Sequence, residues 1–283
     1  MSAAIPTGVG TGADATETGG SGMVHGPVVI GAGLKMYMGH RQALGWISQV
    51  ADLAARHPGI QRRTVELFVL PSFPVLTHAV QALSSHGVGV GAQDLFWEDQ
   101  GAFTGEVSGA ELAELGCSHV EVGHVERRRL LGETDDIVAA KTAAAYRNGL
   151  MPILCIGESQ PQEPRDAARN AVLQLDVAVA GSRSAGVLGP LLVAYEPSWA
   201  IGAAAAADPS YIQTVCFALR KAINNDVGLT GSRILYGGSA GPALLARLGD
   251  AVDGLFVGRA SHNPDVLESI LDEAAEVSDG PSR

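Results

Sequence analysis

Cysteine is scarce in this chain, positive charge is outnumbered, and no apolar run is long enough to cross a bilayer. The 283 residues hold three cysteines, Cys117, Cys155 and Cys216. Odd in number and widely spaced, they offer neither a disulfide framework nor a CxxC metal pattern, and they fit a reducing cytoplasm. Cys155 lies in the apolar run Met151–Ile156, where a thiol reads as a small buried hydrophobe. Lysine and arginine number 19 against 30 aspartates and glutamates, a formal net charge of -11. Such a balance argues against nucleic acid and membrane as general partners. It leaves a phosphorylated small molecule open, because backbone N–H groups and one lysine can hold an anion locally. There is no HExxH, and His119 and His124 alone make a poor zinc site, so neither metal nor cofactor is expected.

What is present is apolar material in a regular order. Hydrophobic residues make up 46% and charged residues 17%, enough for one large core. Residues 1–26 are mostly Gly, Ala, Thr and Ser and lack the basic start and apolar stretch of a secretory signal. They read as a flexible tail, with Met23 a candidate natural start, ahead of one domain over 27–283. From there, short apolar runs alternate with segments of helical period. The strand candidates are Val28–Gly33, Val65–Leu70, Val88–Ala92, His119–Gly123, Met151–Ile156, Leu191–Tyr195, Arg233–Tyr236 and Gly254–Gly258. Helices are expected over Gln42–His57, Phe73–Ser85, Asp135–Asn148, Arg165–Ala180, Pro209–Asn225 and Asp265–Glu276. Near-continuous apolar strands between amphipathic helices mean a parallel sheet with its outer face covered. Eight such units predict a closed α/β barrel, (β/α)₈, in a single domain.

A barrel of this kind gathers its chemistry at the C-terminal strand ends. There stand Lys35 after the first run, His124 and Glu126 after the fourth, Glu196 after the sixth, Gly237, Gly238 and Ser239 after the seventh, and Arg259 after the eighth. Each alone has a plain structural reading; their joint placement points to one site. Residues 237–241 also match the GxSxG of a nucleophile elbow, with Asp253 and His262 as paper partners. That reading leaves Lys35, His124 and Glu196 without a task.

Several segments resemble triosephosphate isomerase: Gly91–Gln93, Gly101–Glu106, Gly123–His124 with Glu126–Arg128, Pro152–Glu158, Ala194–Pro197, Trp199–Gly202, Tyr236–Ser239 and Gly254–Gly258. The resemblance spans nearly all of residues 28–276 and implies a TIM barrel. It also implies the roles that the family gives these positions. Glu196 is the base that takes a proton from carbon, and His124 is the neutral electrophile. Lys35 stabilises an enediolate and helps bind phosphate, and Glu126 positions Lys35. Gly33, Lys35, Gly202, Gly237, Gly238, Ser239, Gly258 and Arg259 fall at substrate- and phosphate-binding positions, and Pro197, Trp199, Ile201 and Gly202 belong to a closing lid. The segment Gln93–Glu106 resembles a loop that inserts into a second subunit, so a homodimer is expected.

The chain departs from the family at named places. Gly33 stands where an asparagine is usual, Leu34 where tryptophan is, Val125 where serine is, and Arg259 where a second glycine is. The lid continues through alanines 203–207. Gly33 removes a side chain beside the reacting carbons, which leaves room for an extra hydroxymethyl group. Arg259, and Trp97 with 99–102, look like the erythrulose-phosphate isomerase branch of the family. The expected substrate is therefore a tetrulose phosphate of the L-erythrulose 1-phosphate type. The alternatives are a triosephosphate isomerase serving glycolysis and gluconeogenesis, or a silent binder of phosphorylated metabolites.

Overall fold

Strands form where β-branched and aliphatic residues run together, and the computed structural model places eight of them: β1 (Val28–Gly33), β2 (Val65–Leu70), β3 (Gly89–Ala92), β4 (His119–Val122), β5 (Met151–Ile156), β6 (Leu192–Tyr195), β7 (Arg233–Tyr236) and β8 (Gly254–Val257). Residues 26–203 and 205–280 are described. The expectations for an N-terminal tail and for Met23 fall outside them. All neighbouring strands are parallel, and β8 pairs back onto β1, so the sheet closes in chain order. The expected single (β/α)₈ TIM barrel is what the chain forms. Each strand lies within a residue of its expected bounds.

Among the described residues ten helices accompany the strands: α1 (His40–Arg56), α2 (Pro58–Gln61), α3 (Leu76–Leu83), α4 (Gly109–Glu114), α5 (Val125–Leu131), α6 (Asp135–Arg147), α7 (Pro164–Ser184), α8 (Pro209–Asn224), α9 (Leu245–Leu248) and α10 (Pro264–Asp279). The starts of the long helices are written in local chemistry. Thr134, Asp208 and Asn263 accept hydrogen bonds from first-turn N–H groups of α6, α8 and α10. Proline opens α7, α8 and α10, where its missing N–H has no helical partner to lose. The expected helix over residues 73–85 divides into a 3-10 turn, Phe73–Val75, then α3, then a second 3-10 turn, Ser84–His86.

Two apolar zones hold the fold. One fills the space between barrel and helices, with Leu34, Trp46, Leu112 and Leu175 among its members. The other lies inside the barrel and includes Phe68, Leu70, Ile153, Cys155, Leu192, Leu235 and Phe256. The interior is not wholly apolar. His119 stacks on Phe68 with ring centroids 4.8 Å apart, so its side chain faces inward. Glu121, two residues further along β4, faces the same way by strand periodicity. Outside the barrel, buried Lys141 donates to Asp94 and Glu133, each at 2.6 Å, and Arg127 joins both carboxylates. This network ties the start of loop 93–106 to α5 and α6.

Candidate active site

Lys35 leaves β1 with φ of 50°, a left-handed conformation that costs a non-glycine residue about 1–3 kcal/mol. The surroundings brace it. Gln93 Nε2 donates to the carbonyls of Lys35 at 3.0 Å and Leu70 at 2.9 Å. Lys35 Nζ donates to Glu126 Oε1 at 2.8 Å. Burial alone would pull the lysine pKa down, but the bond and charge of Glu126 outweigh it and hold the ammonium above its ordinary value. Glu126 is pulled below the usual carboxylate range: partial burial opposes ionisation, and Lys35 overcomes it. Both groups therefore stay charged around neutrality.

His124 caps α5. Its Nδ1 accepts the Glu126 N–H at 3.1 Å, so the imidazole proton sits on Nε2. That Nε2–H lies 3.5 Å from Glu196 Oε2. Burial, and then the charge of Lys35, push the histidine pKa down to about 4, which keeps the ring neutral. A neutral imidazole with a buried N–H is a donor to a carbonyl oxygen that does not compete for the substrate's charge.

Glu196 follows β6 and is almost wholly buried, and its Oε2 has no hydrogen-bond partner among the described residues. Burial is the main reason its pKa rises to about 7. Gly237 makes the placement possible, since a Cβ there would overlap the Glu196 carboxyl. A carboxyl poised near neutrality beside an open cleft can exchange a proton with a bound carbon acid.

The cleft, about 1500 Å³, is lined by Gly33, Lys35, Glu121, His124, Glu126, Glu196, Gly237, Ser239, Gly258 and Arg259, with Trp199, Ile201 and Gly202 at its rim. Along the rim, Ser198–Ala200 forms one 3-10 turn. Glu158 anchors that turn. It accepts from Trp199 Nε1 at 2.8 Å, from Tyr211 Oη at 2.7 Å and from Tyr195 Oη at 3.1 Å. On the other flank, the Ser239 hydroxyl donates to the Ala200 carbonyl at 2.7 Å, and Arg259 donates to the Gly202 carbonyl at 3.3 Å. Ala207 N donates to Tyr236 Oη at 3.1 Å, fixing the far end of the rim segment.

Most of the site residues expected from sequence line this one cleft, Gly33, Lys35, His124, Glu126, Glu196, Gly202, Gly237, Ser239, Gly258 and Arg259 among them. Gly238 is buried against Tyr236 and Pro197 and supports the loop rather than lining it, and Pro197 is likewise buried behind the rim. The nucleophile-elbow reading fails: the Ser239 hydroxyl is turned to the rim carbonyls, and Asp253 is taken up by Arg220 and the Ile234 N–H. Gly33 leaves less room than its missing side chain suggests. A Cβ there would lie 3.2 Å from Phe256 Cζ, so the Phe256 ring already takes part of the gap. Glu121, Glu158 and Phe256 are among the lining residues that escape a sequence reading. Glu158 closes a segment that matches the family but suggests no role for it, and Glu121 and Phe256 lie within runs whose inward face only the barrel's closure reveals.

A sequence model of triosephosphate isomerase matches residues 28–274. An L-erythrulose-1-phosphate isomerase of Pectobacterium atrosepticum is 49% identical over 251 residues, covering 89% of this chain and 97% of that one. A triosephosphate isomerase of Moorella thermoacetica is 43% identical over 209 residues, covering 72% and 84%. An L-erythrulose-1-phosphate isomerase of Rhizobium etli is 38% identical over 257 residues, covering 89% and 92%. A closed eight-stranded barrel, a family match over its whole length and these relatives together establish that the chain is an isomerase belonging to the triosephosphate isomerase family.

Proposed function

We propose that the chain isomerises a tetrulose phosphate of the L-erythrulose 1-phosphate type through an enediolate. The observation that carries the chemistry is the meeting of three groups in one cleft: a carboxyl poised near 7, a neutral imidazole N–H 3.5 Å from it, and a paired ammonium. Glu196 takes the proton from C3, the carbon bearing the hydroxymethyl group. The C–H electrons form the C2–C3 double bond, and the carbonyl electrons move onto the C2 oxygen. His124 Nε2–H and Lys35 stabilise that oxygen, where charge develops only along the reaction. His124 then relays a proton between the two oxygens. Protonated Glu196 returns its proton at C2, and the carbonyl ends on C3. Substrate and product are both tetrulose phosphates, and no redox partner is consumed.

The phosphate is assigned to Gly237, Ser239 and Gly258, which line the cleft, with Gly238 behind them shaping the loop and Lys35 and Arg259 as charged donors. Pro197, Trp199, Ile201 and Gly202 act as the lid. The cleft is larger than a small sugar phosphate needs, so closure is what excludes water from the enediolate. The four-carbon choice is supported by Gly33 beside the reacting carbons and by the names of the Pectobacterium and Rhizobium relatives.

The assembly is assigned as a cytoplasmic homodimer built through loop 93–106. Phe103 at its tip is 41% exposed, and Met36 beside the site is 93% exposed, which is apolar surface suited to cover by a second copy. Sedimentation equilibrium at micromolar concentration should give twice the chain mass; monomer alone would remove the assignment. The substrate is tested by kcat/KM on L-erythrulose 1-phosphate and glyceraldehyde 3-phosphate side by side. A tetrulose preference of about a hundredfold or more is expected. Triose turnover near the diffusional ceiling of about 10⁸–10⁹ M⁻¹s⁻¹ would make this a glycolytic isomerase instead.

A further inference from the structure

Glu121 is a carboxyl in a place that gives it little to do structurally. It sits on β4 inside the barrel, 8% exposed, and lines the same cleft as Glu196, Cys155 and Phe256. Among the described residues its one hydrogen bond comes from the Cys155 thiol, a weak donor, at 3.5 Å. Among the described residues no arginine or lysine pairs with it, and the charges that act on it are those of Glu196, Lys35 and Glu126. Burying a carboxyl with so little compensation destabilises a fold, and replacing such a group with an apolar one is often neutral or stabilising. The acid calls for a partner that arrives from the cleft.

The barrel's topology limits what that partner can be. With strands closed in chain order, β4 stands opposite β8. The glycine loops after β7 and β8, with Arg259, occupy that far side. A phosphate held there keeps its charge away from Glu121, and only the uncharged end of the substrate comes near it. The neighbouring Glu196 already supplies the base, so a second acid is not needed for proton abstraction. Burial lifts the Glu121 pKa to about 8, so at neutral pH it carries an O–H that can donate as well as accept. A neutral acid of this kind matches a hydroxyl group.

We propose that Glu121 is a specificity-determining residue whose carboxyl hydrogen-bonds the terminal hydroxyl that a four-carbon substrate carries and a three-carbon one lacks. The inference rests on the tetrulose reading above and names a residue that selects for it. Discrimination is strong when a site built to bind a hydroxyl meets an analogue without it, because a buried polar group is then left unpaired.

The test measures kcat/KM for L-erythrulose 1-phosphate and for dihydroxyacetone phosphate on the wild type, Glu121→Leu, Glu121→Met and Glu121→Gln. In the leucine and methionine variants the tetrulose-to-triose ratio should fall roughly 10–100-fold, with most of the loss in KM. Glu121→Gln, which still donates and accepts, should keep the ratio within about fivefold of wild type. The melting temperature of Glu121→Leu should hold or rise, which separates a lost contact from a lost fold. The methionine variant serves the same purpose if the leucine variant does not fold. An equal drop on both substrates would mean that Glu121 only shapes the field at Glu196, and would overturn the proposal. An unmoved ratio in an enzyme that prefers the tetrulose would overturn it while leaving the tetrulose reading intact. A wild type that prefers the triose would remove both.

Discussion

Glu196 suits the role of base proposed for it because its surroundings make ionisation hard and leave one oxygen, Oε2, without a partner among the described residues. Shortening it to aspartate withdraws the carboxyl by about one carbon bond, and misplacements of that size typically cost on the order of 10²-fold in rate. Glu196→Asp should therefore lose roughly 10²–10³-fold in kcat with little change in KM, read by steady-state assay; a silent binder of metabolites would show no turnover to lose. The acid limb of kcat/KM follows from the same burial. The active form needs Glu196 ionised, so activity rises with pH through about 7, above the phosphate ionisation near 6. A limb near 4.5 would mean that the base is solvated and differently placed. Gly33→Asn is the third residue-scale test. The new Cβ would meet Phe256 at 3.2 Å, so the ring must give by a few tenths of an ångström. Tetrulose kcat/KM should fall roughly tenfold or more as the gap fills, checked against dihydroxyacetone phosphate. Lys35, His124 and Glu196 are legible in the sequence because each is a chemical residue close behind an apolar run. Glu121 is not, since a single glutamate inside a four-residue strand reads as solvent-facing until closure of the barrel shows which face is inside.

Elements carry the site in two ways, as strand ends and as a rim that the proposed reaction needs to close. Strands are legible almost to the residue because parallel strands buried on both faces are nearly continuous apolar runs, and their ends are marked by glycine or by charge. Short helices are not. α5 is seven residues with no buried member, so it has no apolar face to create a period, yet it caps on His124 and presents Glu126 to Lys35. Likewise α2 and α9 are four residues each, too short to repeat. In the rim, Arg259 links the turn after β8 to Gly202, at a position where the family usually has glycine. Removing it deletes that tether and one charge near the assigned phosphate. Arg259→Gly should raise KM by about tenfold for three- and four-carbon substrates alike and leave their ratio in place, because the phosphate is common to both. A change in the ratio would place Arg259 at the sugar end instead.

For the molecule as a whole, the carboxyls buried within the barrel set a pH dependence of stability that can be worked out in sign. Glu121 and Glu196 have folded pKa values of about 8 and 7, both above the unfolded value, so the folded chain holds protons that the unfolded chain has already released. Their contribution is complete below about 4.5 and is lost as pH rises through 7 and 8. His119 and His124 work the other way, each pushed down to about 4, so stability is lost as pH falls below about 6.5. Between about 4.5 and 6.5 the two effects oppose each other, with Asp94, raised to about 6, siding with the glutamates. Above 6.5 the histidines are neutral in both states and the glutamates dominate, joined towards 8.5 by the three buried thiols, which burial pushes up and which act in the same direction. The melting temperature should therefore decline from pH 6.5 to 8.5 in low-salt buffer, followed by calorimetry at fixed protein concentration. Glu121→Leu should flatten that decline, because it removes the group with the higher pKa. If the slope is the same with and without Glu121, the carboxyl is ionised and solvated in the folded chain, and the neutral acid required for recognising a hydroxyl is absent.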